Sequence, residues 1–220
     1  MALFDLRDET VRYNGKAVLK GVSLKIERGE KVALVGRSGA GKSTLLTLLH
    51  SQHPEKAALV PHDGGLVKTL SVFHNIYMGR LEANPTWYNL VNLAWPMRRE
   101  IEAIQPIVAD LGLADKLMQP AGELSGGQQQ RTAVARALYH DGEVLLGDEP
   151  VSAVDEHQAR AVLDTIAAAH DTMVLAMHDV DLALAYCGRI VGIQDGRIVF
   201  DEPAADLTRQ DLAPLYIGEE

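Results

Sequence analysis

Hydrophobic and polar residues alternate in short runs at the start of the chain, and the period then changes. Thr10–Tyr13, Ala17–Leu19 and Ser23–Ile26 are β-type runs, punctuated by Asn14-Gly15 and by Arg28-Gly29-Glu30. Lys31–Val35 is a buried-type strand that leads into a glycine-rich turn. Ser43–His50 has the leucine spacing of a helix packed on a sheet, and Ala57–Val60 reads as another strand. From about Leu70 to Leu117 the pattern is helical, broken by Pro85, Pro96 and Pro106. From Ser125 onward helices and strands alternate. A helix precedes the strand Val144–Gly147, the helix Glu156–Ala169 and the strand Thr172–Met177. The helix Asp181–Cys187 and the strands Ile190–Gln194 and Arg197–Phe200 complete the series. Strands alternating with helices predict a parallel α/β sheet, with the helical middle as a second lobe inserted into it.

Composition narrows the class. The chain has 220 residues, enough for one large domain or two small lobes, and its ordinary hydrophobic content excludes disorder. Lys and Arg number 21 against 30 Asp and Glu, a net charge of −9 without like-charge runs, which disfavours an extended nucleic-acid surface. Cys187 is the single cysteine, so a disulfide framework and a cysteine-based zinc site are excluded, and a reducing compartment fits. No apolar run approaches the ~20 residues that a bilayer crossing needs, and the N-terminus lacks a signal-peptide pattern. Any work at a membrane therefore calls for a partner.

Three motifs carry chemistry. Gly36-Arg37-Ser38-Gly39-Ala40-Gly41-Lys42-Ser43-Thr44 is a complete phosphate-binding P-loop, placed after a strand and opening a helix. Its backbone N–H groups suit phosphates, Lys42 reaches the β- and γ-phosphates, and the Ser43 hydroxyl suits Mg²⁺. Val144-Leu145-Leu146-Gly147-Asp148-Glu149-Pro150 delivers two carboxylates at the end of an apolar strand, where open α/β sheets bind ligands. Asp148 suits a metal, and Glu149 suits a general base that polarises water. Leu124-Ser125-Gly126-Gly127-Gln128-Gln129-Gln130-Arg131 puts a serine and two glycines at a helix start, a second anion site.

The third motif resembles the signature of ATP-binding cassette (ABC) ATPases. The resemblance implies a P-loop NTPase fold with a parallel-sheet core, a small N-terminal antiparallel part and an inserted helical subdomain. One cassette over 1–220 would divide into a catalytic lobe, 1–62 and 125–220, and a helical lobe, 63–124. ATP and Mg²⁺ are the implied ligands. Ser125, Gly126, Gly127 and Gln128 would meet the γ-phosphate held by the opposite subunit. Ser152-Ala153-Val154-Asp155 resembles the D-loop, so Asp155 joins that list. His178 resembles the switch histidine, and Tyr13 the aromatic residue that stacks on adenine.

The helical stretch Leu70–Leu81 with Asn84-Pro85-Thr86-Trp87, the run Leu111–Lys116, and His178–Ala183, Arg189–Gly192 and Asp195–Asp201 are similar to phosphonate importer ATPases. The tail Asp206–Tyr216 is similar too. The resemblance implies the ATP-hydrolysing subunit of a bacterial importer for phosphonate or a related phosphorus oxyanion. It would lie at the cytoplasmic face of the inner membrane, dimerise on ATP, and work with a transmembrane permease and, indirectly, a periplasmic or lipoprotein substrate-binding protein. The same residues also suit another small-anion importer or a lipoprotein- or division-type system. Trp87 and Trp95 are expected in the lobe core or on a permease-facing patch. Two departures stand out. His62 occupies the position of the family's Q-loop glutamine, where an imidazole can accept from water or ligate Mg²⁺. About twenty residues separate Ser43 from His62, roughly half the family's usual spacing, so two strands of the antiparallel part are missing. A non-transport ABC ATPase is a further alternative, and these departures add that of a nucleotide-binding scaffold with slow hydrolysis.

Overall fold

The computed structural model describes residues 2–216. By packing, the chain divides into two compact units, 1–59 with 143–149 and 170–220, and 60–142 with 150–169.

The first unit is built on sheets. β1 (Ala2–Tyr13) and β2 (Lys16–Glu27) form an antiparallel hairpin closed at Asn14-Gly15. The three short runs expected at the N-terminus are thus two long strands. Ala17–Leu19 and Ser23–Ile26 belong to one strand, because side chains bridge the ladder irregularities between them. The Ser23 hydroxyl accepts from Asp8 N–H at 3.0 Å, and the Thr10 hydroxyl accepts from Gly21 N–H at 3.0 Å. β1 also starts earlier than its alternation suggests, since Phe4 and Leu6 are fully buried.

The second sheet contains β3 (Lys31–Val35), β4 (Ala57–Val60), β5 (Val144–Asp148), β6 (Met173–Ala176), β7 (Arg189–Gln194) and β8 (Arg197–Pro203), in the order β4-β5-β6-β3-β7-β8. β5, β6, β3 and β7 run parallel, and β8 closes the edge antiparallel. The helix α1 (Lys42–Gln52) buries Leu45, Leu46 and Leu49 in one core with Leu34, Leu146, Val174, Leu6 and Leu19. That core joins both sheets. Connections from β3 step to β4 on one side, and the chain returns past β3 to β7 on the other. β3 therefore ends at a switch point, where open α/β sheets leave a crevice.

The second unit is helical. It contains α2 (Val72–Tyr77), α3 (Thr86–Ala94), α4 (Arg98–Asp110), α5 (Gly126–His140) and α6 (Glu156–Ala169). α5 packs on α2 and α4, and buries Thr132, Ala133, Val134, Ala135, Ala137 and Tyr139. The unit therefore takes in α5 and α6 as well as the helical stretch 63–124. Pro85 and Pro96 flank α3 as expected. Pro106 does not break the chain and lies inside α4. A proline inside a helix costs about 3 kcal/mol. Burying Ile104 and Val108 on either side contributes roughly 1.5–3 kcal/mol each, and Pro106 itself faces solvent, so the helix continues.

α3 is inverted in polarity. Asn92 is buried, whereas Trp87 (64% exposed), Leu90 (62%) and Trp95 just past the helix (79%) face outward. Of the two places expected for the tryptophans, the lobe core is excluded and the outer surface remains. The inward positions are taken by polar groups that mostly have partners: Asn92 Oδ1 accepts from Met97 N–H at 2.8 Å, although its buried Nδ2 has none. Tyr88 Oη donates to Glu100 at 2.6 Å, and Asn89 accepts from Tyr77 Oη at 2.7 Å. Tyr139 on α5 also donates to Glu100, so a buried carboxylate ties α3, α4 and α5 together. The short helix α7 (Val180–Tyr186) and the last helix α8 (Arg209–Leu212) return to the first unit.

Candidate functional site

Three neighbouring strands deliver the candidate residues of the first unit. β3 runs straight into Gly36, β5 into Glu149, and β6 through Met177 into His178. Asp148 and Leu34 both stand opposite Ala176, so the three strand ends are level. Sheet spacing then brings the loops together.

The P-loop wraps tightly. At Gly36 the backbone is left-handed, φ +145°, and a Cβ would lie 2.1 Å from the Ile193 carbonyl oxygen, so only glycine fits. Lys42 is buried and donates through Nζ to the carbonyl oxygens of Gly36 at 2.7 Å and Arg37 at 3.1 Å. Burial pushes its pKa down, while Glu149 and Asp148 oppose that shift. Arg37, Ser38, Gly39 and Ser43 are exposed, Thr44 is half-buried, and Ala40 and Gly41 pack inward. The Ala40 carbonyl accepts from Gly196 N–H at 3.0 Å, and a Cβ on Gly41 would meet Leu19. The β1–β2 hairpin thus abuts the loop, and Tyr13 stands at its tip with its ring exposed.

The carboxylates differ in setting. Asp148 is buried, and its Oδ1 has no hydrogen-bond partner. A buried carboxylate oxygen without a donor is costly, and a cation there relieves the cost. With the open Ser43 hydroxyl, the donor set fits a hard, oxygen-liking ion such as Mg²⁺. Glu149 has a left-handed backbone, φ 54°, which costs a non-glycine residue roughly 1–2 kcal/mol. Its N–H donates to the Ala176 carbonyl at 3.0 Å, which holds that turn in place. The turn aims its carboxylate at His178, whose Nε2 lies 2.6 Å from Oε1. Asp179 then caps α7, accepting from the N–H groups of Asp181 at 2.9 Å and Leu182 at 3.0 Å. That cap fixes the backbone next to His178.

The second unit carries the remaining candidates. Ser125 caps α5 in a reciprocal box: its hydroxyl accepts from Gln128 N–H at 3.3 Å, and Gln128 Oε1 accepts from Ser125 N–H at 2.9 Å. Gly126 is exposed, and a Cβ on Gly127 would lie 2.9 Å from the Ala153 carbonyl oxygen. The signature thus packs on the segment Ser152–Asp155. Gln130 staples the two, donating to Ser152 Oγ at 3.0 Å and accepting from Ala153 N–H at 2.8 Å. The Asp155 carboxylate accepts from Gln158 N–H at 2.9 Å and so caps α6. His62 lies exposed in the turn after β4.

The structure gathers the P-loop, Asp148, Glu149 and His178 in one unit, and the signature with Asp155 and His62 in the other. Sequence reasoning missed the roles of Gln130, Asp179 and Arg136. Only Arg136 left a signal, an arginine inside the apolar run Val134–Leu138.

Comparison with known proteins agrees with this arrangement. Residues 19–152 match the family model described as ABC transporter. The phosphonates import ATP-binding protein PhnC 1 of Pseudomonas syringae pv. tomato is 39% identical, over 100% of this chain and 92% of its own length. The phosphonates import ATP-binding protein PhnC of Pseudomonas putida is 37% identical, over 100% and 91%. In fold, a nucleotide-free ATP-binding cassette from an ABC transporter superposes with a TM-score of 0.81 at 20% identity, over all of both chains. A dimeric bacterial ABC transporter cassette gives 0.78 at 22% identity, over 91% of this chain and 98% of that one. The strand-end site, the capped signature helix and the family match converge, and the chain belongs to the ABC transporter family as one of its ATP-binding cassettes.

Proposed function

We propose that the chain is the ATP-hydrolysing subunit of a bacterial importer for phosphonate or a related phosphorus oxyanion. The observation that carries the enzymatic part is the convergence of Lys42, Asp148, Glu149 and His178 at three adjacent strand ends. The cargo rests on the full-length similarity to phosphonates import ATP-binding proteins. Gly36–Thr44 binds the nucleotide phosphates through backbone N–H groups and Lys42, and Tyr13 stacks on the base. Mg²⁺, held by Ser43 and Asp148, would neutralise charge developing on the β- and γ-phosphates. Glu149 accepts the proton of the attacking water, and His178 orients its carboxylate and reaches the γ-phosphate. His62 takes the glutamine's part beside water and metal.

Two copies close on two ATP molecules, each offering Ser125–Gln128 and Asp155 to the nucleotide of the other. Closure drives a separate permease, served by a substrate-binding protein outside the membrane. No helix among the described residues is long and apolar enough to cross a membrane, and the outward row Trp87, Leu90 and Trp95 suits an apolar protein partner. The subunit then works on the cytoplasmic face of the membrane.

Sedimentation and phosphate release test this reading. Glu149→Gln should lower turnover by about 10²–10⁴-fold and trap a dimer with Mg²⁺ and ATP. A Glu149→Gln protein that stays monomeric at saturating ATP overturns the sandwich. In liposomes with permease and binding protein, alkylphosphonate and not sulfate should raise ATP turnover, and the reverse result overturns the cargo.

A further inference from the structure

The signature helix carries an arginine about three turns from its cap. Arg136 is flanked by the buried alanines Ala135 and Ala137 and is half-buried itself. Its guanidinium donates from Nη2 to the Gly64 carbonyl and from Nη1 to the Gly65 carbonyl, each at 2.7 Å. Burial lowers its pKa, and the nearby charge of Asp63 opposes that. The guanidinium is therefore committed to two backbone oxygens, with a fork geometry that a lysine cannot copy.

Those two carbonyls belong to one closed turn. Gly64 N–H donates to the Pro61 carbonyl at 2.9 Å, and Gly65 N–H donates to Asp63 Oδ1 at 3.1 Å. Both glycines are left-handed, φ +71° and +54°, and a Cβ on Gly65 would already crowd Pro61 and Arg136. His62 lies inside this turn. Ser125, Gly126 and Gly127 stand at the other end of the helix that holds it.

We propose that Arg136 is a positioning residue that fixes the turn bearing His62 to the signature helix, so that His62 and the signature move as one body. This rests on the role given to His62 above. A helix transmits displacement along its length, whereas a free glycine turn absorbs it. Arg136 removes that freedom at the point where the Q-loop position meets the helix.

Amide exchange and a double-mutant cycle on the full chain test the proposal. Arg136→Ala should speed exchange at Gly64 and Gly65 by at least about tenfold, and Arg136→Lys by less, with the rest of α5 unchanged. In ATP turnover Arg136→Ala should lower kcat by about tenfold, since small misplacements outside the chemistry cost up to ~10². Combined with His62→Ala, it should lower kcat no further than His62→Ala alone. Unchanged exchange at Gly64 and Gly65, unchanged turnover in Arg136→Ala, or losses that multiply in the double variant each overturn it. If the wild-type chain shows no turnover, the ATPase reading fails, and the exchange measurement alone decides whether Arg136 anchors the turn. Arg136→Lys, which keeps charge and stem, guards against a folding defect in the alanine variant.

Discussion

At the scale of single residues, the structure separates reactive groups from packed ones. Cys187 is 4% exposed, and burial pushes its thiol up to about 12, far above the ordinary thiol range. The thiolate is the reactive form, so the native protein should resist thiol reagents at neutral pH. In guanidinium the same protein should react with one equivalent, measured by absorbance with a chromogenic disulfide. Rapid labelling of the folded chain would show that the packing around Cys187 opens. Glu149 is the opposite case: its left-handed backbone and its contact with His178 hold it in a half-buried, strained position suited to chemistry.

At the scale of elements, α3 turns its apolar side chains outward. A helix that folds a lobe normally turns its apolar stripe inward. Here Tyr88, Asn89 and Asn92 take the inward positions, bonded to Glu100, the Leu81 carbonyl and Met97 N–H in turn, and Trp87, Leu90 and Trp95 are left outside. Leu90→Asp should leave ATP turnover of the isolated subunit within about twofold, because an exposed substitution away from the core changes little. The same change should abolish stimulation by the permease in liposomes. Equal stimulation of variant and wild type would remove α3 from the docking surface. This inversion was only half legible in the sequence. The tryptophans were visible as candidates for either face, but their direction depends on Glu100 meeting Tyr88 and Tyr139, 12 and 39 positions away.

Legibility follows the range of the contacts. The P-loop and the strand with Asp148 and Glu149 could be read because each is a contiguous string whose chemistry follows from its own order. The extent of β2 was misread because Thr10 and Ser23 close its irregularities from across the hairpin. The continuity of α4 through Pro106 was misread because burial of Ile104 and Val108 outweighs the proline. The fork from Arg136 to Gly64 and Gly65 spans more than 70 positions, so the apolar run around Arg136 marks an unusual arginine without revealing its partners.

At the scale of the whole molecule, no helix among the described residues is long and apolar enough to cross a membrane. What this chain holds is an ATP site whose parts begin at the last residues of fully buried, mutually hydrogen-bonded strands. A site built on the ladder itself has a thermal consequence. Its spacing persists for as long as β5, β6 and β3 remain paired. On heating, binding of a fluorescent ATP analogue and the far-ultraviolet signal of the sheet should therefore disappear in one transition, and ATP should raise that transition by mass action. Binding lost well below the unfolding midpoint would show a melting step local to the loops. For a cassette that must open and close many times, the motion is then confined to what the strands carry, and the strands themselves act as a fixed ruler.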